Sequence, residues 1–229
     1  MNLSVKDAAR LLSVSEKSIY RWIKQGLIPV YRVSNQHRFN QAELLEWATS
    51  RRMGILPEAF LEPESEARPL PRLSGALNEG GVIYRLEGRS RNEVLGNLVN
   101  NLRLPEGLDC DYLLRVLIAR EKIASTGLGD GIALPHPRNP GLLHTPQPTV
   151  TLAFLEHPVD FNALDGKPVK ALFCVLSPSL RDHLHLLSML GFALNDAKFR
   201  ASIHQEQSRE TIFAALRQVK QRMGLIAAS

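Results

Sequence analysis

Between Gly54 and Arg72 the chain carries Pro57, Pro63, Pro69 and Pro71, a run of Glu58, Glu62, Glu64 and Glu66, and few apolar residues after Leu61. Such a stretch cannot bury enough apolar surface to offset the entropy lost on ordering it, and its prolines favour a semi-extended backbone. It reads as a linker, residues 54–72, and it divides the 229 residues into two units, 1–53 and 73–229. Charge divides at the same place. Residues 1–53 hold nine Lys/Arg against four Asp/Glu, whereas residues 54–229 are balanced, so the whole formal charge of +5 sits in the first quarter. A small basic module joined to a larger neutral one suits a nucleic-acid reader with a sensing or regulatory partner domain.

The hydrophobic content of 44% supports real cores. No apolar run approaches the ~20 residues needed to span a bilayer, so no membrane insertion is expected. Asp7 and Arg10 interrupt any signal-peptide pattern. Cys110 and Cys174 are far apart and form no metal-spaced pair, and Cys174, within ALFCVL, reads as a buried free thiol. A reducing, cytoplasmic setting follows as the expectation.

In the basic unit, Ser4 with Asp7 looks like a capping box that opens a helix from Val5 to Leu12. Ser15 can cap a second helix bearing Ile19, Tyr20, Trp22 and Ile23, which Gly26 stops. Ile28–Val33 and His37–Phe39 read as a hairpin around Ser34-Asn35-Gln36, and Asn40 with Glu43 starts a helix through Leu44, Leu45 and Trp47 to about Arg52. Two helices, a small hairpin and a helix make a winged helix-turn-helix plan. Lys17, Ser18, Arg21 and Lys24 are then the polar positions of the recognition helix, spaced for phosphates and base edges. Arg32, His37 and Arg38 fall on or beside the wing. The segment SVKDAARLLSVSEKSIYRWIKQGLIPVYRV, followed by HRFNQAELLEWA, resembles the excisionase and MerR-like DNA-binding domains. Residues 1–53 are therefore expected to bind DNA.

The second unit mixes helices with strands. Val82–Leu86 is a short strand candidate. Ser90 with Glu93 caps a helix through Leu102, and Asp109 starts another that ends near Glu121. Thr149–Leu155 and Val169–Leu176 are apolar, β-branched strand candidates, and helices are read over about Arg181–Asp196 and Ser208–Met223. The expected fold class is α/β, a mixed β-sheet flanked by helices, with the small winged helix-turn-helix domain ahead of it.

The stretch REKIASTGLGDGIALPHPR, from Arg120 to Arg138, holds the candidate chemistry. Gly127, Gly129 and Gly131 suit a tightly turning backbone. They make neither a P-loop, since no Gly-Lys-Ser/Thr follows, nor a G-x-G-x-x-G dinucleotide fingerprint. Ile132-Ala133-Leu134 is a buried strand end, after which His136 stands on a stiff backbone between Pro135 and Pro137. The run of Arg-Glu, Ser-Thr-Gly and Gly-Ile-Ala-Leu-Pro-His resembles the active-site signature of the type-2 enzyme IIA domains of the bacterial phosphoenolpyruvate-dependent phosphotransferase system, the fructose/mannitol and nitrogen-regulatory kind. The resemblance covers about Leu73 to Met223 and departs at Pro137, where the family usually has a small residue. It implies that His136 accepts a phosphoryl group, that Arg120 is a catalytic arginine, and that His183, in RDHLHLLSML, is the second histidine. It also implies phosphorylated HPr or a relative as the donor.

A neutral imidazole can take a phosphoryl group in line, through a loose transition state that asks for positioning and positive charge. Arg138 is an auxiliary cation by its place in the sequence. His183 and His185 are two apart on a helix and point roughly 200° apart. His183 shares the side of Leu187, Leu190 and Leu194 and reaches inward, whereas His185 is expected at the surface. A metal site from His136, His183, His185 and Asp182 lacks a short-spaced pair on one helix face, so no metal and no cofactor are expected. Three functions fit. One is a phosphotransferase-linked regulator in which the state of His136 tunes DNA binding. Another is a transport enzyme IIA that passes phosphate to a IIB partner. The third is a DNA-binding protein whose second domain only docks.

Overall fold

The computed structural model describes residues 2–33, 36–51, 53, 69–143 and 145–226. Ser34 and Asn35 of the expected hairpin turn, Arg52, and linker residues 54–68 lie outside the described residues.

The first unit runs β1 (Asn2–Leu3), α1 (Val5–Leu11), α2 (Glu16–Lys24), β2 (Tyr31–Val33), β3 (Gln36–Asn40) and α3 (Gln41–Ser50). The capping box at Ser4 is formed in both directions, with Asp7 N–H donating to Ser4 Oγ at 3.2 Å and Ser4 N–H donating to Asp7 Oδ2 at 3.1 Å. Ser15 caps α2, and Ser13 and Gly26 take positive φ in the turns after α1 and α2. The expected hairpin forms as β2 against β3. The two-residue β1 adds to the other side of β3, all antiparallel, a strand too short to leave a sequence pattern. Ala8, Leu12, Ile19, Phe39, Leu44 and Leu45 make the core between the helices and this small sheet.

The second unit begins with α4 (Leu73–Gly80) and continues through β4 (Val82–Leu86), α5 (Arg91–Asn101), α6 (Cys110–Ile123), β5 (Gly127–Gly129) and β6 (Ile132–Ala133). It then runs β7 (Thr149–Val159), β8 (Val169–Leu176), α7 (Leu180–Asn195), α8 (Ala197–His204) and α9 (Arg209–Ile226). The five-stranded sheet has the order β4-β7-β8-β6-β5. Its β4/β7 and β6/β8 pairs are parallel, and its β7/β8 and β5/β6 pairs are antiparallel, so the sheet is mixed. Helices cover both faces. Phe173 and Val175 of β8 enter one core with α4, α7, α8 and α9, while Leu172, Cys174 and Leu176 enter the other with α5 and α6. Burial on both faces is why β8 reads as an unbroken apolar run.

The two units touch. Helix α3 packs along α7, and Leu184 of α7 is buried in the same cluster as Leu45 and Ala48 of α3. Among the described residues no helix is long and apolar enough to cross a membrane.

Candidate functional site

The glycine-punctuated turn works through its backbone. Gly129, Asp130 and Gly131 all have positive φ, at 82°, 55° and 73°, so the chain reverses tightly between β5 and β6. A Cβ on Gly127 would lie 2.8 Å from that of Ala163, so the strand fits there only without a side chain. Beyond β6 the prolines cost the sheet little. Leu134 N–H donates to Thr126 O at 2.9 Å, and the carbonyl of Pro135 accepts from Val175 N–H at 3.1 Å. His136 thus leaves the sheet from a backbone pinned on both sides.

Its ring is fixed as firmly. Nδ1 lies 2.7 Å from the carbonyl oxygen of Leu134, and because a carbonyl only accepts, Nδ1 carries the proton and donates. Nε2 is then the unprotonated nitrogen of the neutral ring, and Arg120 Nε donates to it at 3.3 Å. Arg120 stands in the last turn of α6, where its Nη1 also donates to Ala124 O at 2.8 Å, so one edge of the guanidinium is held by the helix end. His183, in the first turn of α7, lies with its ring centroid 5.2 Å from that of His136 and its plane tilted by 49°. Ser177, at the end of β8, holds His183 Nδ1 at 3.2 Å. The fold thus brings His136, Arg120 and His183 together from three separate elements. All three are buried, His136 to 4% exposure.

Two supporting residues have roles that the sequence does not assign. One is Ser177, whose signal is a hydroxyl at the end of an apolar strand. The other is Glu121. Its Oε2 accepts from Thr126 N–H at 3.0 Å and from Thr126 Oγ1 at 2.5 Å, and Arg91 Nη1 lies 3.5 Å from its Oε1. Burial pushes the Glu121 carboxyl above the usual range, against those hydrogen bonds and the charges of Arg91 and Arg120. Glu121 holds Thr126, Thr126 holds Leu134, and Leu134 sets the proton on His136.

One expectation needs correction. His185 is not at the surface. It is 7% exposed and hydrogen-bonded to the backbone of Pro71, because the segment just before α4 covers that side of α7. Arg138 keeps its place two residues past His136 and lines a cleft with Arg120. It is half exposed and pairs with Glu43 at the start of α3. Among the described residues no group of three or more His, Cys, Asp or Glu is placed to hold a metal ion.

On the first unit, Lys17, Arg21 and Lys24 are exposed on α2, and Tyr20 is exposed beside them. Ser18 is half-buried and occupied by the N-cap, its N–H donating to Ser15 Oγ at 3.2 Å. Arg32 is exposed and pairs across the hairpin with His37, whose ring lies edge-on to Tyr20 at 6.3 Å, tying the wing to the helix. Arg38 is half-buried, and its Nη2 donates to Gln36 Oε1 at 2.6 Å.

Comparison with known proteins places both units. Residues 76–219 match the family described as phosphoenolpyruvate-dependent sugar phosphotransferase system, EIIA 2, and residues 3–52 match a helix-turn-helix domain family. A nitrogen regulatory protein of Pseudomonas aeruginosa is 36% identical over 146 residues, which are 62% of this chain and 92% of that protein. The fructose-specific EIIA component of a phosphotransferase system from Haloferax volcanii is 36% identical over 113 residues, 48% of this chain and 71% of that protein. The crystal structure of nitrogen regulatory protein IIA-Ntr from Neisseria meningitidis superposes with a TM-score of 0.53 at 33% identity, covering 64% of this chain and 95% of that one.

Proposed function

Because the chain belongs to the EIIA 2 family of the phosphoenolpyruvate-dependent sugar phosphotransferase system through residues 76–219, we propose that His136 accepts a phosphoryl group from phosphorylated HPr or a relative, and that its state governs DNA binding by residues 1–53. The observation that carries this reading is the ring of His136, with its Nδ1 proton given to Leu134 O and its Nε2 facing the guanidinium of Arg120. In the proposed step the Nε2 lone pair attacks phosphorus in line. The P–N bond to the donor histidine breaks, and the donor ring leaves with that electron pair. Arg120 moves its hydrogen bond from Nε2 to the phosphoryl oxygens. The ring of His136 gains positive charge, which its Nδ1–H bond to Leu134 O disperses. His183, held by Ser177, supplies a second donor beside the oxygens. This is positioning and charge stabilisation, as a loose phosphoryl transition state requires. The protein is then a phosphohistidine carrier working in the cytoplasm.

The exposed cations of α2, with Arg32, His37 and Arg38 at the wing, support the DNA half of the reading. The relative named as a nitrogen regulatory protein favours a regulator. The relative named as a fructose-specific EIIA component favours a second reading, in which the same nitrogen hands its phosphoryl group to a IIB partner. Fluorescence-anisotropy titration of DNA selected from a random pool separates them. Unmodified and phosphorylated protein, at matched salt, are expected to differ in affinity. Equal affinities would sink the coupling and leave the carrier.

A further inference from the structure

The acceptor site has a rim, and the chain's own winged unit sits on it. Arg138, two residues past His136, pairs with Glu43 at the start of α3, and the Tyr31 hydroxyl of the wing donates to the same carboxylate. Leu184, the neighbour of His183, is 5% exposed and lies in the winged unit's core. Helix α3 runs along α7 behind these contacts. A phosphohistidine donor must bring its imidazole to Nε2 on a protein surface, and a specific encounter of that kind buries about 1,000 Å² or more. The N-terminal part of α7 and Arg138 belong to the face it would need. On the α6 side a cleft of about 180 Å³ lined by Arg120, Ile123 and Arg138 stays open, so the winged unit narrows the approach to the acceptor from the α7 side.

We infer that the winged unit is a partial cap on the acceptor: docked through α3 it obstructs the phosphoryl donor, and phosphorylation of His136 releases it. This rests on His136 being the acceptor. In the capped state the charge of Arg138 is met by Glu43. A phosphoryl group on Nε2 adds ≈ −1.5 to −2 units of charge close by and offers oxygens that match a guanidinium. Arg138 then has a stronger partner than Glu43, and Glu43 loses its cation while a new negative charge arises near it. Both changes drive α3 away from α7. The coupling is reciprocal, so docking opposes phosphorylation by the factor with which phosphorylation opposes docking. Lys17, Tyr20, Arg21 and Lys24 remain exposed in the capped state. The cap therefore leaves the cations of α2 uncovered, so its release bears on DNA binding through how the winged unit is carried and not by unmasking α2.

The test uses the full chain, with phosphorylated HPr as donor and the rate of phosphoryl gain as readout. Glu43→Ala removes the partner of Arg138 and is expected to accept phosphate about two- to fivefold faster than the parent, the range of a partly exposed ion pair. Leu184→Asp places a charge in the buried contact and is expected to accept at least tenfold faster. Equal rates in the parent and Glu43→Ala overturn the cap, whether or not Leu184→Asp folds. Amide exchange in α3 and around Leu184 is the second arm. It is expected to speed up on phosphorylation, and unchanged exchange overturns the release. If no form gains phosphate, the acceptor reading fails by itself. Exchange around Leu184 then decides the docking, which is overturned if Glu43→Ala and the parent exchange alike.

Discussion

At His136 a single backbone carbonyl decides which ring nitrogen holds the proton, and the neighbouring prolines keep that carbonyl in place. The motif and its histidine were legible in the sequence, but the tautomer was not, because it depends on a hydrogen bond to Leu134, just past the end of β6. His185 shows the opposite outcome. Helical spacing separated it correctly from His183, yet its side of α7 is buried. The run LHLLSMLGFAL is apolar nearly all round, which marks a helix enclosed on several sides. Burial first, with Arg181 adding to it, holds the His185 pKa below 6.5, while the bond to Pro71 and the charge of Asp182 oppose the shift. The folded state therefore prefers the neutral ring, and the unfolded chain binds the extra proton below about 6.5. Stability from this residue is full above that pH and falls as the pH drops toward the lowered folded value. Thermal melts from pH 7 to pH 5 are expected to show a steeper loss in the parent than in His185→Gln. Parallel curves would contradict the burial of this side chain.

Among the elements, those with a full period or a capping residue were readable. Helices α1, α2, α5 and α6 each start at a side-chain cap, and β8 is apolar along its whole length. Helix α4 escaped because Arg72 gives it no side-chain cap and glycines interrupt its eight residues. Helix α8 escaped because Asp196 both ends α7 and caps α8, so one residue carries two boundaries. A prediction also attaches to α2, the proposed recognition helix. Arg21 is exposed between Lys17 and Lys24 on a helix that Ser15 caps. Arg21→Ala is expected to weaken DNA binding and to flatten the slope of log affinity against log salt by about one, as the loss of one phosphate contact does. An unchanged slope across a salt series would place Arg21 off the DNA.

At the scale of the whole molecule, composition separates a basic stretch from a neutral one, with the formal charge of +5 confined to residues 1–53. It gave no hint that the two meet. Glu43 and Arg138 are 95 residues apart, and each reads as an ordinary solvated charge until the fold brings them together. In the proposed cap that meeting joins the state of one nitrogen to the placement of an entire unit, and the proposal rests on whether that nitrogen takes phosphate. The deciding measurement is intact-mass spectrometry at mildly alkaline pH, on the full chain mixed with enzyme I, HPr and phosphoenolpyruvate, beside His136→Ala. The account predicts a gain of one phosphate in the parent and none in the variant. A folded parent that gains nothing, or a variant that gains as much, would contradict it and leave the second unit as a docking surface for the first.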